Sequence, residues 1–262
     1  MNPRDFLIYL SLKFNGDYKM IREAIQNREP IPDNIELPPL KCKVLTALDE
    51  DYPKIFFEYY QCPLVLFYYG DLSLIKDINK NLAIVGSRKI SEYGIRKTIE
   101  IANDVAKYVN IVSGLAIGTD SIAQNQALKS GGKVIAVLGS GIDCCYPPKN
   151  KELYEELKKK HLVISEYPGA TEPTPDKFPF RNRLIAMFSN TILIPEAKKR
   201  SGTSITAAYG TSYNKSICCI PHLADTNSLC NNLIANGAYL VENADDVLEI
   251  MKIEKDTTIF DL

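Results

Sequence analysis

Residues able to grip a polyanion crowd one stretch of this sequence. From Phe178 to Arg200 it reads FPFRNRLIAMFSNTILIPEAKKR, and Ser201-Gly202-Thr203-Ser204 follows directly. Arg181, Arg183, Lys198, Lys199 and Arg200 bracket an apolar segment. A small-residue turn that opens a helix leaves backbone N–H groups free at the positive end of the helix dipole. Cations beside such a turn make an anion site, and phosphate is the common anion. Taken singly, Arg181-Asn182-Arg183 reads equally as a solubilising surface, and the Ser-Gly-Thr-Ser turn as an ordinary N-cap. A second turn, Gly86-Ser87-Arg88-Lys89, strengthens the phosphate reading. Glycine lets the backbone approach a ligand, serine donates to a phosphate oxygen, and arginine grips it with two parallel bonds. Lys177, Phe178 and Phe180 place rings among cations, the combination on which the bases of a single strand stack. Arg181 and Arg183 stand two apart. Within a helix they point about 200° apart, so both reach one groove only where the helix begins.

Catalytic patterns are sparse. There is no GxSxG, and no GxxxxGK[ST] for a Walker-type ATP site. Gly139-Ser140-Gly141 lacks the third glycine of a dinucleotide fingerprint and reads as a turn. Asp120, Asp143 and Glu166 could share one cleft, but a carboxylate at a helix start is more often a cap than an acid or base. His222 follows a strand and has no readable partner in the sequence. No cofactor and no metal are implied. The seven cysteines are odd in number and contain no CxxC, and there are only two histidines. Reduced thiols in a cytoplasm fit this usage better than a zinc site or a disulfide framework. Cys218 and Cys219 lie inside an apolar run and read as core.

The elements that must position these residues follow from hydrophobic periodicity. Residues 1–38 read as a small helical module, with one stripe at Phe6, Leu7, Leu10 and Phe14 and another at Ile21 and Ile25, separated by Gly16. Pro30, Pro32, Pro38 and Pro39 mark residues 30–40 as a linker. Strands are expected at 43–48 and 64–69. From residue 82 apolar strands alternate with helices. The strands fall at 82–86, 110–113, 133–138, 162–165, 191–194, 216–220 and 238–241. The helices fall near 91–108, 119–130, 150–160, 181–189, 203–213, 228–236 and 244–252. On helix 91–108, Ile95, Ile99, Ala102, Ala106 and Val109 share a face. Asn150 and Asn243 read as N-caps and Gly237 as a helix-ending residue. This alternation specifies an α/β fold, a Rossmann-like doubly wound and mostly parallel sheet over residues 39–262. Ligands of such sheets lie outside the carboxyl ends of the strands. The turns at Gly86, Gly114 and Gly139 and both basic loops are therefore expected on one edge.

Bulk composition sets limits. The chain has 262 residues, 45% hydrophobic and 24% charged, with a formal net charge of −1. That argues against a polycation coating nucleic acid indiscriminately, but not against a local positive groove. No run of about 20 apolar residues suggests a membrane span, and the amino terminus lacks the pattern of a secretion signal.

Taken in order, the blocks Ala83-Ile84-Val85-Gly86-Ser87-Arg88, Ser113-Gly114-Leu115-Ala116, Tyr146-Pro147, Ser165-Glu166-Tyr167-Pro168, Phe178-Pro179, Arg181-Asn182-Arg183 and Ser201-Gly202 resemble the DNA-processing protein A family (DprA, also called Smf) over residues 40 to 245. The resemblance implies an extended Rossmann fold that binds single-stranded DNA in natural transformation. It also implies loading of the RecA recombinase, a homodimer and no enzymatic activity. Carried over by position, Ser87, Arg88, Lys89, Lys177, Phe178, Arg181, Asn182, Arg183, Ser201, Gly202 and Thr203 are the expected DNA contacts, with Gly86, Gly114 and Gly139 forming the turns. Gln124 and Asn125 replace a frequent histidine, and Ile117 a frequent arginine. The carboxyl-terminal winged helix of some members is expected to be absent, since the sequence ends at Leu262. The alternative reading is a phosphoribohydrolase-like nucleotide-processing enzyme using Glu166 or Glu196, although the PGGxGTxxE run of such enzymes is missing.

Overall fold

Short apolar runs become the strands, buried on both faces at the centre of the sheet and more exposed at its two edges. The computed structural model of the chain describes residues 2–30 and 36–255. Its strands are β1 (Lys43–Thr46), β2 (Val65–Gly70), β3 (Asn81–Ile84), β4 (Asn110–Ser113), β5 (Val134–Val137), β6 (Leu162–Ser165), β7 (Thr191–Ile194), β8 (Ser216–Cys219) and β9 (Tyr239–Leu240). They form one sheet in the order β1-β2-β6-β5-β4-β3-β7-β8-β9. From β3 to β9 every pairing is parallel. The first two strands run antiparallel to each other, and β2 also pairs antiparallel with β6, which lengthens the sheet on that side. The expected doubly wound, mostly parallel architecture is present.

The helices are α1 (Pro3–Lys13), α2 (Tyr18–Gln26), α3 (Glu92–Val105), α4 (Thr119–Lys129), α5 (Lys151–Lys160), α6 (Lys177–Met187), α7 (Gly202–Ser212), α8 (Leu229–Ala235) and α9 (Ala244–Met251). Because side chains alternate across a strand, the central strands feed two cores. Leu82, Ile84, Ile111, Val134, Ala136 and Cys218 pack with α3, α4, α5 and α9. Ala83, Val85, Val112, Ile135, Val137 and Cys219 pack with α6, α7 and α8. The vicinal cysteines thus fill opposite cores, and both are fully buried.

Several boundaries and faces differ from expectation. Helix α6 begins at Lys177 rather than at residue 181. Pro179 falls in its first turn, where a missing N–H leaves no helical bond unmade. On α3 the buried stripe is Thr98, Ile101, Ala102 and Val105, while Ile99 is 40% exposed and Ile95 half-buried. The i, i+3, i+4, i+7 spacing of the first four fits a single helical face, and Ile95 and Ile99 sit to its side. Asn150 stands at the start of α5, but its side chain donates to the Leu115 carbonyl instead of capping. Asn243 does cap α9, in a reciprocal box with Asp246. Gly237 follows α8 with φ +97°.

At the amino terminus Leu10, Ile21 and Ala24 form a core of their own. Leu7 reaches the main core, and Arg4 Nε lies 2.6 Å from Asp49 Oδ1. Ile25, expected in the stripe, remains exposed. Of the anticipated linker, Pro32 and its neighbours 31–35 lie outside the described residues, as do residues 256–262.

Lys215, which leads into β8, lies against Tyr59, donating to its hydroxyl at 2.7 Å with Nζ 4.6 Å from the ring centre. Burial pushes the Lys215 ammonium from 10.5 down to about 8. Between those values the unfolded chain holds the proton more tightly, so stability rises with pH across that window. Lys215→Met should be more stable than the parent at neutral pH, and its advantage should shrink from pH 8 towards 10.5 in urea titrations. An advantage constant over that range would contradict this account.

Candidate functional site

The site forms where the direction of the sheet's winding reverses. Strand β3 lies between β4 and β7, so the loops leaving β3 and β7 diverge to opposite faces and open a crevice at the strands' carboxyl ends. That crevice is a cleft of about 650 Å³. The loop after β3 contributes Arg88 and Lys89, the loop after β7 contributes Lys198 and Arg200, and α6 contributes Arg181. Against these five cations the lining holds a single carboxylate, Asp120. Both basic loops and the glycine turns therefore share one edge, as the topology requires.

The two loops are prepared differently. Ser87 folds its own turn: its hydroxyl donates to the Lys89 carbonyl at 2.7 Å and accepts the Lys89 N–H at 3.1 Å. Arg88 is exposed, with its guanidinium carbon 5.6 Å from the centre of the Phe178 ring. Opposite, α7 starts at Gly202 without a side-chain cap from Ser201, whose hydroxyl donates to the Lys198 carbonyl instead. The N–H groups of Gly202 and Thr203 have no partner among the described residues. Asn182 donates to the Gly202 carbonyl at 3.1 Å and so ties α6 to this turn.

Arg181 forms the floor. It is 4% exposed, and Nη1 donates to the Gly114 carbonyl at 2.7 Å and to the Val137 carbonyl. These two carbonyls stand at the ends of neighbouring strands β4 and β5. Asp120 accepts from the N–H groups of Gly114 and Ala116 at 3.0 and 3.4 Å. Burial pushes the Arg181 guanidinium down to about 10, so it keeps its charge at neutral pH. Burial pushes the Asp120 carboxyl above the usual carboxylate range, opposed by Arg181. The glycines are explained by proximity. A Cβ on Gly114 would lie 2.6 Å from Arg181 Nη2, one on Gly139 2.7 Å from the Phe178 ring, and one on Gly86 2.5 Å from the Thr119 hydroxyl.

Two expected contacts lie elsewhere. Because α6 starts at Lys177, Arg183 is mid-helix and turns to the opposite side from Arg181. It is fully buried, paired through both terminal nitrogens with the Glu166 carboxylate at 2.6 Å, and Nε donates to the Gln61 carbonyl. Burial works against its charge, but Glu166 raises its pKa above the ordinary value. A side chain so enclosed offers no donor to a ligand in this cleft. Lys177 also points away, donating to the Glu172 carbonyl with Nζ 5.4 Å from the Tyr167 ring. Phe180 packs under Arg183, whose guanidinium carbon is 3.8 Å from its ring centre. Tyr146, by contrast, joins the cleft 5.5 Å from Phe178 and 43% exposed. Only the Tyr-Pro dipeptide hinted at it in the sequence.

The three carboxylates that could have shared a cleft do not. Asp143 accepts from the Tyr69 hydroxyl at 2.5 Å, Glu166 holds Arg183, and only Asp120 lines the crevice. Glu196 accepts from the N–H and hydroxyl of Ser91 at the start of α3. His222 has partners after all: Nε2 lies 2.9 Å from the Pro195 carbonyl, and the Cys230 thiol beside it raises its pKa. Among the described residues no cluster of three or more His, Cys, Asp or Glu could hold a metal ion. No helix among them is long and apolar enough to cross a membrane.

Comparison with known proteins matches residues 43–252 to the family model described as DNA recombination-mediator protein A. DNA processing protein DprA of Streptococcus pneumoniae is 40% identical over 205 residues, covering 78% of this chain and 72% of that protein. Protein Smf of Synechocystis is 36% identical over 239 residues, and the match spans 88% of this chain but 60% of that relative's length. The X-ray structure of DprA from S. pneumoniae superposes with a TM-score of 0.78 at 32% identity, covering 95% of this chain and 93% of the other. DNA processing protein A from Helicobacter pylori, whose structural description concerns its single-stranded DNA binding mode, superposes with a TM-score of 0.73 at 30% identity over 81% of this chain and 96% of the other.

Glu166→Gln should leave the buried Arg183 charge uncompensated and destabilise the fold by about 3–5 kcal/mol in chemical denaturation. Replacing both partners with apolar residues of similar volume should recover most of that loss. A loss below about 1 kcal/mol for the single variant would mean that the pair does not hold α6 in place.

Proposed function

The chain belongs to the DNA recombination-mediator protein A family, and from that membership we propose that its cleft binds single-stranded DNA and that the bound strand is handed to the RecA recombinase during DNA uptake. The observation that carries this reading is the charge of the crevice: five cations and one carboxylate around about 650 Å³, in a protein whose net charge is −1. Arg88 and the free N–H groups of Gly202 and Thr203 take phosphates from two sides, and Arg181 sets a positive floor beneath them. Phe178 and Tyr146 offer ring faces, which accept any base. Lys89, Lys198 and Arg200 add charge at the rim. Recognition of this kind is tolerant of sequence. Ser87 shapes its turn rather than donating outward.

The protein acts in the cytoplasm as a homodimer, without catalysing a reaction, and residues 1–38 form a module appended to the binding domain at 39–262. The nucleotide-processing alternative requires Glu166 or Glu196 as an acid or base. Both carboxylates are engaged, one by Arg183 and the other by Ser91.

Binding measured by fluorescence anisotropy should weaken as salt rises, with a log–log slope of about −0.7 for each phosphate neutralised. Arg88→Ala should weaken binding to all sequences alike and make the slope about 0.7 shallower. An Arg88→Ala protein that binds every oligonucleotide as tightly as the parent, with an unchanged slope, would refute the assignment.

A further inference from the structure

The first turns of α6 divide two hollows. Pro175, Phe178, Arg181 and Asn182 face the cationic cleft, while Asp176, Lys177 and Phe180 face a larger groove on the other side. That groove encloses about 970 Å³ between α2, the loop at residues 57–62 and α6. Rings are prominent in its walls: seven of its seventeen lining residues are aromatic, among them Tyr18, Phe57, Tyr60, Tyr167 and Phe180. Tyr18 and Phe180 form a tilted pair with centres 5.8 Å apart. Tyr60 is 77% exposed and Phe57 56% exposed. Its charges balance, with Lys19, Arg22 and Lys177 against Asp17, Glu23 and Asp176.

We propose that this groove is a second subsite for the same single strand, one that receives bases through the rings of Tyr60 and its aromatic neighbours rather than phosphates. The inference rests on the single-stranded DNA reading of the cleft. Three observations favour a strand as the occupant. The two hollows share one wall, and a helix is only about 10 Å across, so a strand leaving the cleft over Phe178 meets the groove on the far side of the same turn. Exposed rings whose faces carry no fixed hydrogen-bonding pattern suit unstacked bases of any identity. The balanced charge neither repels a backbone already neutralised in the cleft nor supplies a second phosphate anchor. Lys177, at the ridge itself, is the cation a crossing phosphate would meet. Division of labour follows: the cleft fixes the backbone, and the groove adds affinity only when the strand is long enough to reach it.

The test is an anisotropy titration of the full chain with labelled oligothymidines, from lengths that fill the cleft alone to several times that length. The parent should gain affinity with length. Tyr60→Ala should match the parent on the shortest strands and fall about tenfold behind on long ones, since a base stacked on a ring contributes on that scale. Tyr60→Phe, which keeps the ring, should behave as the parent. The Tyr60 side chain is exposed, and its backbone carbonyl, which accepts from the Tyr213 hydroxyl, survives substitution. Identical titrations for parent and Tyr60→Ala at every length would overturn the proposal, and are the result if the groove receives a peptide instead. An equal loss at every length would overturn it too. Failure of the parent to bind even short strands would bring down the reading of the cleft itself.

Discussion

Two guanidinium groups on one helix, facing opposite ways, hold this architecture at its working edge. The sequence Arg181-Asn182-Arg183 lies in the middle of α6, and helical geometry sends its two arginines about 200° apart. Arg181 bonds the Gly114 carbonyl just past β4 and the last carbonyl of β5 and so links the two strand ends. Arg183 reaches the Glu166 carboxylate beyond β6 and the Gln61 carbonyl in the aromatic loop. Each arginine ties α6 to a different set of loops, in addition to the apolar packing of Leu184 to Met187. Burying a cation is costly unless its donors are satisfied. Arg183 meets that condition with a carboxylate. Arg181 meets it with the neutral carbonyls of Gly114 and Val137 and the side-chain oxygen of Asn182.

That difference accounts for the distribution of charge. The Arg183 charge is neutralised inside the fold, whereas the Arg181 charge is not cancelled by direct ion pairing and remains as positive potential at the base of the crevice. Arg88, Lys89, Lys198 and Arg200 add to it from loops on two sides. A cleft walled by protein focuses such a field and concentrates anions there, even when the molecule as a whole carries a net charge of −1. Sheet topology explains the convergence, since the reversal between β3 and β7 places both basic loops at one opening.

Much of this was legible in the sequence because it depends on periodicity. The strands and most helices follow from apolar runs, and the rule that ligands sit at the carboxyl ends of parallel strands brought Gly86, Arg88, Ser201 and Gly202 together. Direction was harder to read. Helix α6 starts at Lys177, four residues before the expected start, and that shift puts Arg183 in mid-helix, facing the core. Along α3 and just beyond it Ala102, Ala106 and Val109 are buried as expected, but the face continues through Thr98 and Ile101 rather than through Ile95 and Ile99. Tyr146 joins the cleft through a contact with Phe178, more than thirty residues away in sequence, which no local pattern encodes. Glu166 resembled a catalytic acid until its partner was visible.

The central claim is that the crevice between the β3 and β7 loops is where the strand's phosphates rest. A crystal structure of the chain with a short oligothymidine tests it directly. A phosphate held between the Arg88 guanidinium and the N–H groups of Gly202 and Thr203, with a base against Phe178 and the Arg183–Glu166 pair undisturbed, is the expected result. A strand bound on another face of the sheet, with that crevice empty, would contradict the account.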